Sequence, residues 1–400
     1  MFYGVSFFPH PRKTLNSIVL TAEVWPQTAT NKAISWSSSN TDKATVISTG
    51  SNTAKVTMPS NATAGFVDIT VSTEDGLYEA TCKVMVSTLS SDGAWSAYQT
   101  HTTGPGIDLV FFGDAYSASD ITGGKYEEDM FTAIEGFFDI QPFKAYRNYF
   151  NAYIVVAESG ESQLEIGVQK DTKFSTHIYD GSTQDYSTYF DLCLTYAQKA
   201  PIGDINNTVV VLIVNTQQYF GAWMLFDSTG KAVAVCPTTP HFFKAFVQHE
   251  AGGHGFGKLG DEYYSEGVVA TQSALDALKS DHSIGYNTNV DITNDLTKIL
   301  WKDFIGHPQY SMVGAFEGAL YCETGMWRSE AISRMSVSTQ ISYFNAPSRA
   351  AIVKRIKTLA GEPFTMEWFM SVDIIEPPLS TKATMNHLSI PHTPPVWIQN

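Results

Sequence analysis

The sequence predicts a multidomain protein in which a small all-β sandwich precedes a larger α/β domain. The chain has 400 residues, which is more than one hydrophobic core usually organises. Residues 14–86 alternate short β-rich runs with turn residues, as strands of a β-sandwich do. From Gly106 onward strand and helix patterns alternate, which indicates a mostly parallel sheet covered by helices.

The sandwich is predicted to occupy residues 1–88. Its strands are expected at 18–24, 33–36, 44–47, 53–58, 65–72 and 80–86. Trp36 is interpreted as a core aromatic residue of the sandwich. A segment rich in Ser, Thr, Gly and Asp follows, and we assign residues 89–105 to a linker.

The α/β domain is predicted to span residues 106–365. The pattern indicates strands at 107–112, 151–157 and 208–214, helices at 125–138 and 186–199, and a β-hairpin over 222–235. The hairpin would give the sheet an antiparallel edge, to which an extended peptide could add as a strand. Residues 366–400 contain two Pro-Pro pairs and no helical period, so an extended tail is expected there.

The most informative segment runs from His249 to Tyr263 and combines two histidines with three acidic residues. In the common zinc motif H-E-x-x-H the histidines are four residues apart and share one face of a helix. Here His249 and His254 are five apart, which in a regular α-helix would turn them roughly 140° away from each other. A wide turn of the π type would absorb the extra residue, and Gly252 and Gly253 lower the steric cost of that distortion.

The residues around this pair complete the predicted metal site. Before it, Thr239 is expected to be the N-cap and Pro240 the first residue of the helix. After it, glycines turn the chain back, so that Asp261 or Glu262 can be the third ligand of Zn²⁺. Asp261 is favoured, and the other carboxylate is expected to orient a histidine.

Three protein ligands with an open fourth position predict hydrolysis by zinc-activated water. Glu250 is the predicted general base. Tyr263 or Arg328 is expected to donate a hydrogen bond to the oxyanion. The chain is therefore interpreted as a zinc-dependent endopeptidase acting on a protein or peptide. The alternatives are a zinc amidase or exopeptidase on cell-wall or glycan-linked peptides, and a non-catalytic adhesion protein with a degenerate metal site.

Composition excludes several other functions. The formal net charge of −15 argues against nucleic acid and anionic membranes as partners. No apolar run is long enough for a membrane helix, and the first residues show no signal peptide. The four cysteines are scattered, so buried free thiols are expected instead of a disulfide framework. The sequence makes no prediction of the oligomeric state.

The N-terminal region resembles the bacterial group 2 immunoglobulin-like module. The resemblance rests on Trp25-Pro26, on the W-S-S-S-N segment from Trp36, and on the closing A-T-C-K-V strand at 80–84. It implies a spacer or adhesion domain.

Residues 106–361 resemble the bacterial immunoglobulin A peptidase family, metallopeptidase family 64. The matching segments are I-D-L-V-F-F-G-D-A-Y at 107–116, Y-E-E-D at 126–129, 142–143, 149–151, G-K-L-G-D-E-Y at 257–263, W-R-S-E at 327–330, S-R-M at 333–335 and 344–349. The resemblance implies a metzincin-like zincin fold and a secreted, cell-surface or periplasmic bacterial zinc endopeptidase. Its metal motif has four-residue spacing, from which this chain departs by one residue. Met335, with Met326 behind it, is the candidate for the methionine turn beneath the zinc.

Overall fold

The structure is a computed structural model that describes residues 17–26, 28–59, 62, 65–74, 78–86, 91–179, 189–218, 221–336 and 341–376, and the backbone of 4–8 and 396–398. Within these ranges, none of the helices combines the length and the apolar character needed to cross a bilayer.

The N-terminal region forms two antiparallel sheets. Their strands are β1 (Gly4–Phe8), β2 (Ser17–Trp25), β3 (Ile34–Ser38), β4 (Thr45–Ser48), β5 (Thr53–Thr57), β6 (Gly65–Thr73) and β7 (Glu79–Val86). One sheet has the order β1-β2-β5-β4 and the other β3-β6-β7. Leu20 and Val56 of the first sheet pack with Val67 and Ile69 of the second, and half-buried Trp36 lies against this core. The predicted sandwich is confirmed, and β1 is an additional strand.

The remaining strands belong to the α/β region. They are β8 (Trp95–Gln99), β9 (Ile107–Asp114), β10 (Phe150–Val155), β11 (Val209–Val214), β12 (Trp223–Asp227), β13 (Ala232–Pro237), β14 (Tyr264–Val269), β15 (Val290–Asp291), β16 (Phe316–Ala319), β17 (Tyr321–Arg328) and β18 (Val396–Ile398). The helices are α1 (Ala118–Thr122), α2 (Lys125–Phe138), α3 (Phe190–Ala197), α4 (Phe243–Phe246), α5 (Gln272–Ser283), α6 (Ala346–Leu359) and α7 (Met366–Val372), with a π-helix at Val247–Phe256 and 3₁₀ turns at Arg147–Tyr149, Lys302–Phe304 and Pro308–Tyr310.

The central sheet has the order β18-β12-β13-β11-β9-β10-β8. Strands β13, β11, β9 and β10 are parallel, whereas β12 and β8 are antiparallel to their neighbours β13 and β10. Alternate residues of β11 face two separate cores: Val209 and Val211 pack with α2 and the π-helix, and Val210 and Leu212 pack with α3. This arrangement confirms the predicted mostly parallel sheet with an antiparallel hairpin at its edge.

The domain boundaries stay predictions, but two segments outside the predicted α/β domain have regular structure. Strand β8 lies in the segment that the sequence predicts to be a linker, and it pairs with β10. In the region assigned to the tail, α7 buries Phe369 against Phe304, and β18 pairs in parallel with residues 225–227 of β12. The outer edge of the hairpin is therefore partly covered by the chain itself.

The expected start of the metal-site helix is wrong. The Thr239 hydroxyl donates a hydrogen bond to the Gln218 carbonyl, 3.0 Å away, and caps no helix. His241 has a positive φ of 68°, which interrupts helical backbone, and α4 begins only at Phe243.

Three of the four cysteines are buried free thiols as predicted, whereas Cys82 is half-buried.

Candidate metal centre

The π-helix brings the two histidines together. Its hydrogen bonds run from each N–H to a carbonyl five residues earlier, as from Gly257 N to Gly252 O at 2.9 Å, so residues five apart lie above each other. The ring centroids of His249 and His254 are 4.8 Å apart, with an angle of 82° between the ring planes. The predicted π-type distortion is confirmed, and it extends over ten residues instead of a single turn.

Backbone carbonyls orient both rings. His249 Nδ1 lies 2.9 Å from the Arg334 carbonyl oxygen, and His254 Nδ1 lies 2.7 Å from that of Leu259. Because a carbonyl oxygen only accepts, each Nδ1 carries the proton and donates it. The Nε2 atoms point to Asp261 instead, at 3.1 Å and 3.2 Å from its Oδ1. This is the arrangement by which proteins orient metal-binding histidines.

The three side chains fit a metal ion. Among the described residues, His249, His254 and Asp261 form the one group whose candidate ligand atoms all lie within 4.8 Å of one another. All three are buried, and Asp261 Oδ2 has no hydrogen-bond partner in the described part of the chain. An ion with tetrahedral bonds of about 2.0–2.1 Å separates its ligand atoms by about 3.4 Å. The distances from Asp261 Oδ1 to the two Nε2 atoms, 3.1 Å and 3.2 Å, are close to that value. The orphaned oxygen supports the same conclusion, because a buried carboxylate oxygen without a partner is costly.

Electrostatics inside the group are strong. Burial favours the neutral imidazole, but the charge and the hydrogen bond of Asp261 outweigh it and raise the pKa of His254 to about 9. The pKa of Asp261 is lowered despite burial, because both histidines stabilise its carboxylate. The site is thus built around one ionised carboxylate that two imidazoles face.

Glu262 lies in a different network. Its carboxylate accepts hydrogen bonds from the side-chain amides of Asn289, at 2.8 Å, and Asn345, at 2.7 Å and 2.8 Å, and from the Ser333 hydroxyl. Burial raises the pKa of this carboxyl group. The expectation that the second carboxylate would orient a histidine is wrong, since backbone carbonyls do so. Glu262 instead joins three segments of the chain beneath the site.

Met335 lies directly under the π-helix. A Cβ atom added to Gly253 would meet Met335 Sδ at 2.2 Å, so a larger residue at this position would force the buried Met335 side chain to shift. Gly252 and Gly253 are not among the glycines with positive φ. Their importance is therefore close packing, and not the backbone freedom expected from the sequence. Met326, the second candidate, belongs to another cluster with Leu278 and Val290.

Glu250 and two tyrosines border the group. Glu250 is 1% exposed, and its charge contributes to a raised pKa of Tyr263 and of Tyr321. Burial is the largest cause of both shifts, and Asp261 adds to them. The Tyr263 and Tyr321 hydroxyls are hydrogen-bonded to each other, with ring centroids 4.8 Å apart and edge-to-face. Both phenols therefore lie near the predicted base and the predicted third ligand.

The sequence does not indicate Tyr321 as a residue of the site. It lies in no motif, and the turn that presents it contains neither Gly nor Asn.

Arg328, the alternative oxyanion donor, makes its hydrogen bonds elsewhere. Its guanidinium donates to the carbonyls of Glu317, at 2.8 Å, Gly318, and Ala331, at 3.3 Å. The suggestion for Arg328 is therefore wrong: this side chain holds the β16–β17 hairpin together.

Comparison with known families gives two matches. The family model described as IgA Peptidase M64 matches residues 96–310, which is more than half of the chain and includes the whole π-helix and Asp261. The model described as Bacterial Ig-like domain (group 2) matches residues 13–84. Comparison with curated proteins found no match. Tyr321 and Met335 lie beyond the range that the peptidase model covers.

Proposed function

Because the chain belongs to the IgA Peptidase M64 family, we propose that it is a zinc-dependent endopeptidase that cleaves an extracellular protein. Membership makes it a peptidase with a protein or peptide substrate. The observation that supports zinc is the convergence of His249, His254 and Asp261 within 4.8 Å. The bacterial immunoglobulin-like domain supports a secreted, cell-surface or periplasmic location.

We assign the metal ligands to Nε2 of both histidines and to the Asp261 carboxylate. When bound, zinc supplies Lewis acidity, which lowers the pKa of a coordinated water to about 7 and polarises the scissile carbonyl. The carbonyls of Arg334 and Leu259 keep the rings in place by accepting from each Nδ1. The packing of Met335 against Gly253 supports the π-helix from below.

Glu250 is the proposed general base. It directly follows His249 on the π-helix, is 1% exposed, and lies close enough to Tyr263 and Tyr321 to contribute to their raised pKa values. Its carboxylate accepts a proton from the attacking water and returns it to the leaving amine when the carbon–nitrogen bond breaks. The charge of Glu250 contributes to the raised pKa of Tyr263, the oxyanion donor expected from the sequence.

Peptide cleavage with and without chelation tests this function. We expect the full chain to cut internal bonds in a diverse library of peptides blocked at both ends. Activity should be lost after dialysis against a chelator and restored by about one equivalent of zinc, because the three ligands define one site.

Each alternative gives a different result in the same experiment. Cleavage confined to unblocked chain ends would identify an exopeptidase. Cleavage of muropeptides or glycopeptides alone would identify an amidase of the alternative class. Absence of both zinc binding and cleavage would leave an adhesion protein and contradict the proposal.

A further inference from the structure

We infer that Tyr321, held in place by Tyr263, donates the hydrogen bond that stabilises the oxyanion. The inference rests on the proposed peptidase function and replaces Tyr263 as the donor that the sequence suggested. It is carried by the backbone of the turn around Tyr321, by its attachment to the metal-site segment, and by the geometry of the two hydroxyls.

Tyr321 is presented by a tight turn with unusual backbone angles. Ala319 and Cys322 pair across the β16–β17 hairpin, so Leu320 and Tyr321 form a two-residue loop. Their φ angles are 47° and 66°, the left-handed values of a type I′ turn. Such positions favour Gly, Asn or Asp, and bulky residues there are strained. Strain of this kind persists where the surrounding structure requires it, and it is concentrated at functional sites.

The turn is attached to the segment that carries the third ligand. Leu320 N donates to the Asp261 carbonyl at 3.0 Å, and Tyr321 N donates to the Tyr263 carbonyl at 3.1 Å. These bonds fix the Tyr321 backbone relative to Asp261. The side chain is thereby positioned from two sides, by the hairpin and by the metal-site segment.

The two hydroxyls are not equivalent. Tyr263 is 9% exposed and enclosed by the protein, whereas Tyr321 is only half-buried. One proton lies in the bond between the hydroxyls, and the other is directed to a further acceptor. When Tyr263 donates to Tyr321, the proton of Tyr321 is directed to another acceptor, and we infer that the oxyanion of a bound peptide is that acceptor. A bound peptide can reach that hydroxyl more readily than the enclosed one.

The chemistry requires a hydrogen-bond donor at the carbonyl oxygen. Attack of water on the scissile carbonyl moves an electron pair onto the carbonyl oxygen while Glu250 takes a proton from the water. The Tyr321 O–H stabilises that negative oxygen by a hydrogen bond and transfers no proton. When the carbon–nitrogen bond breaks, the carbonyl re-forms and the proton on Glu250 goes to the amine. A fixed donor directed at developing charge contributes most in the transition state.

Phenylalanine variants test the inference in the full chain. We expect Tyr321→Phe to lower kcat by about 100-fold or more with KM and zinc content nearly unchanged, as for loss of an oxyanion donor. Tyr263→Phe should lower kcat less, by roughly 10-fold, because the Tyr321 hydroxyl remains and loses only its positioning partner. A phosphinic peptide that mimics the tetrahedral intermediate should bind more weakly to Tyr321→Phe by the same factor as the loss in kcat.

The matched control is Tyr264→Phe, which removes a hydroxyl from the next residue and should hydrolyse like wild type. Zinc content and melting temperature report whether each variant folds. If Tyr321→Phe does not fold, 3,5-difluorotyrosine at position 321 replaces it, because this analogue keeps the ring and changes the acidity of the hydroxyl. The inference predicts a changed kcat for this protein, and an unchanged kcat would contradict it.

The outcomes separate the two levels of the proposal. A Tyr321→Phe variant with wild-type kcat, or a larger loss in Tyr263→Phe than in Tyr321→Phe, overturns the assignment of the donor while the peptidase function stands. Wild-type protein that binds zinc but cleaves no peptide overturns the proposed function and this inference with it.

Discussion

Replacing Glu250 with glutamine is expected to abolish peptide hydrolysis and to leave the metal bound. The amide has nearly the same size as the carboxylate, so the packing around this buried side chain is retained. It cannot accept the proton of the attacking water, and loss of a general base lowers kcat by roughly 10²–10⁴-fold. Initial rates on a cleaved peptide, with zinc per chain measured on the same samples, provide the test.

The control for this variant is Glu266→Gln, which makes the same chemical change at an exposed position of β14. It should hydrolyse peptide at the wild-type rate. Equal rates for wild type and Glu250→Gln would remove Glu250 from the mechanism.

The neighbouring carboxylates Asp261 and Glu262 should respond in opposite ways to removal of their charge. Asp261→Asn removes the anion that both imidazoles face, so we expect zinc affinity to fall by at least about 100-fold, and hydrolysis with it. Glu262→Gln should retain zinc. It should lower the free energy of unfolding by about 1–3 kcal/mol, because a carboxylate accepting from Asn289, Asn345 and Ser333 is replaced.

Competition with a chromophoric zinc chelator measures the first effect, and urea unfolding of the zinc-free proteins measures the second. If Glu262→Gln lost zinc while Asp261→Asn retained it, the ligand assignment would be reversed. Zinc affinity close to that of wild type in both variants would show that neither residue is the third ligand.

The local geometry of the histidine pair could be predicted from the sequence. The five-residue spacing of His249 and His254, with glycines between them, already required a π-type backbone, because a regular helix would separate the rings. The glycine turn brings Asp261 and Glu262 back toward the histidines, and adjacent side chains diverge, so only one of them is expected to bind the metal; Asp261 as that ligand stays a prediction. These predictions depend on a few consecutive residues and on helix geometry alone.

Contacts between distant segments could not be predicted in the same way. The histidines are oriented by carbonyls, one of which belongs to Arg334, and a carbonyl leaves no signature in the residue type. Gly253 permits the close approach of Met335, which is visible only in three dimensions. Tyr321 joins Tyr263 through a turn whose sequence does not favour positive φ. The predicted N-cap at Thr239 is wrong for a related reason. Its hydroxyl forms a tertiary hydrogen bond with the Gln218 carbonyl instead of capping the helix that follows.

The central claim is that both imidazoles and Asp261 bind a single zinc ion. Anomalous diffraction at the zinc absorption edge, from crystals of the zinc-loaded full chain, tests it most directly. We predict one peak about 2.0–2.2 Å from His249 Nε2, His254 Nε2 and a carboxylate oxygen of Asp261. A map without a peak between these atoms, or with the two rings facing away from each other, would contradict the account.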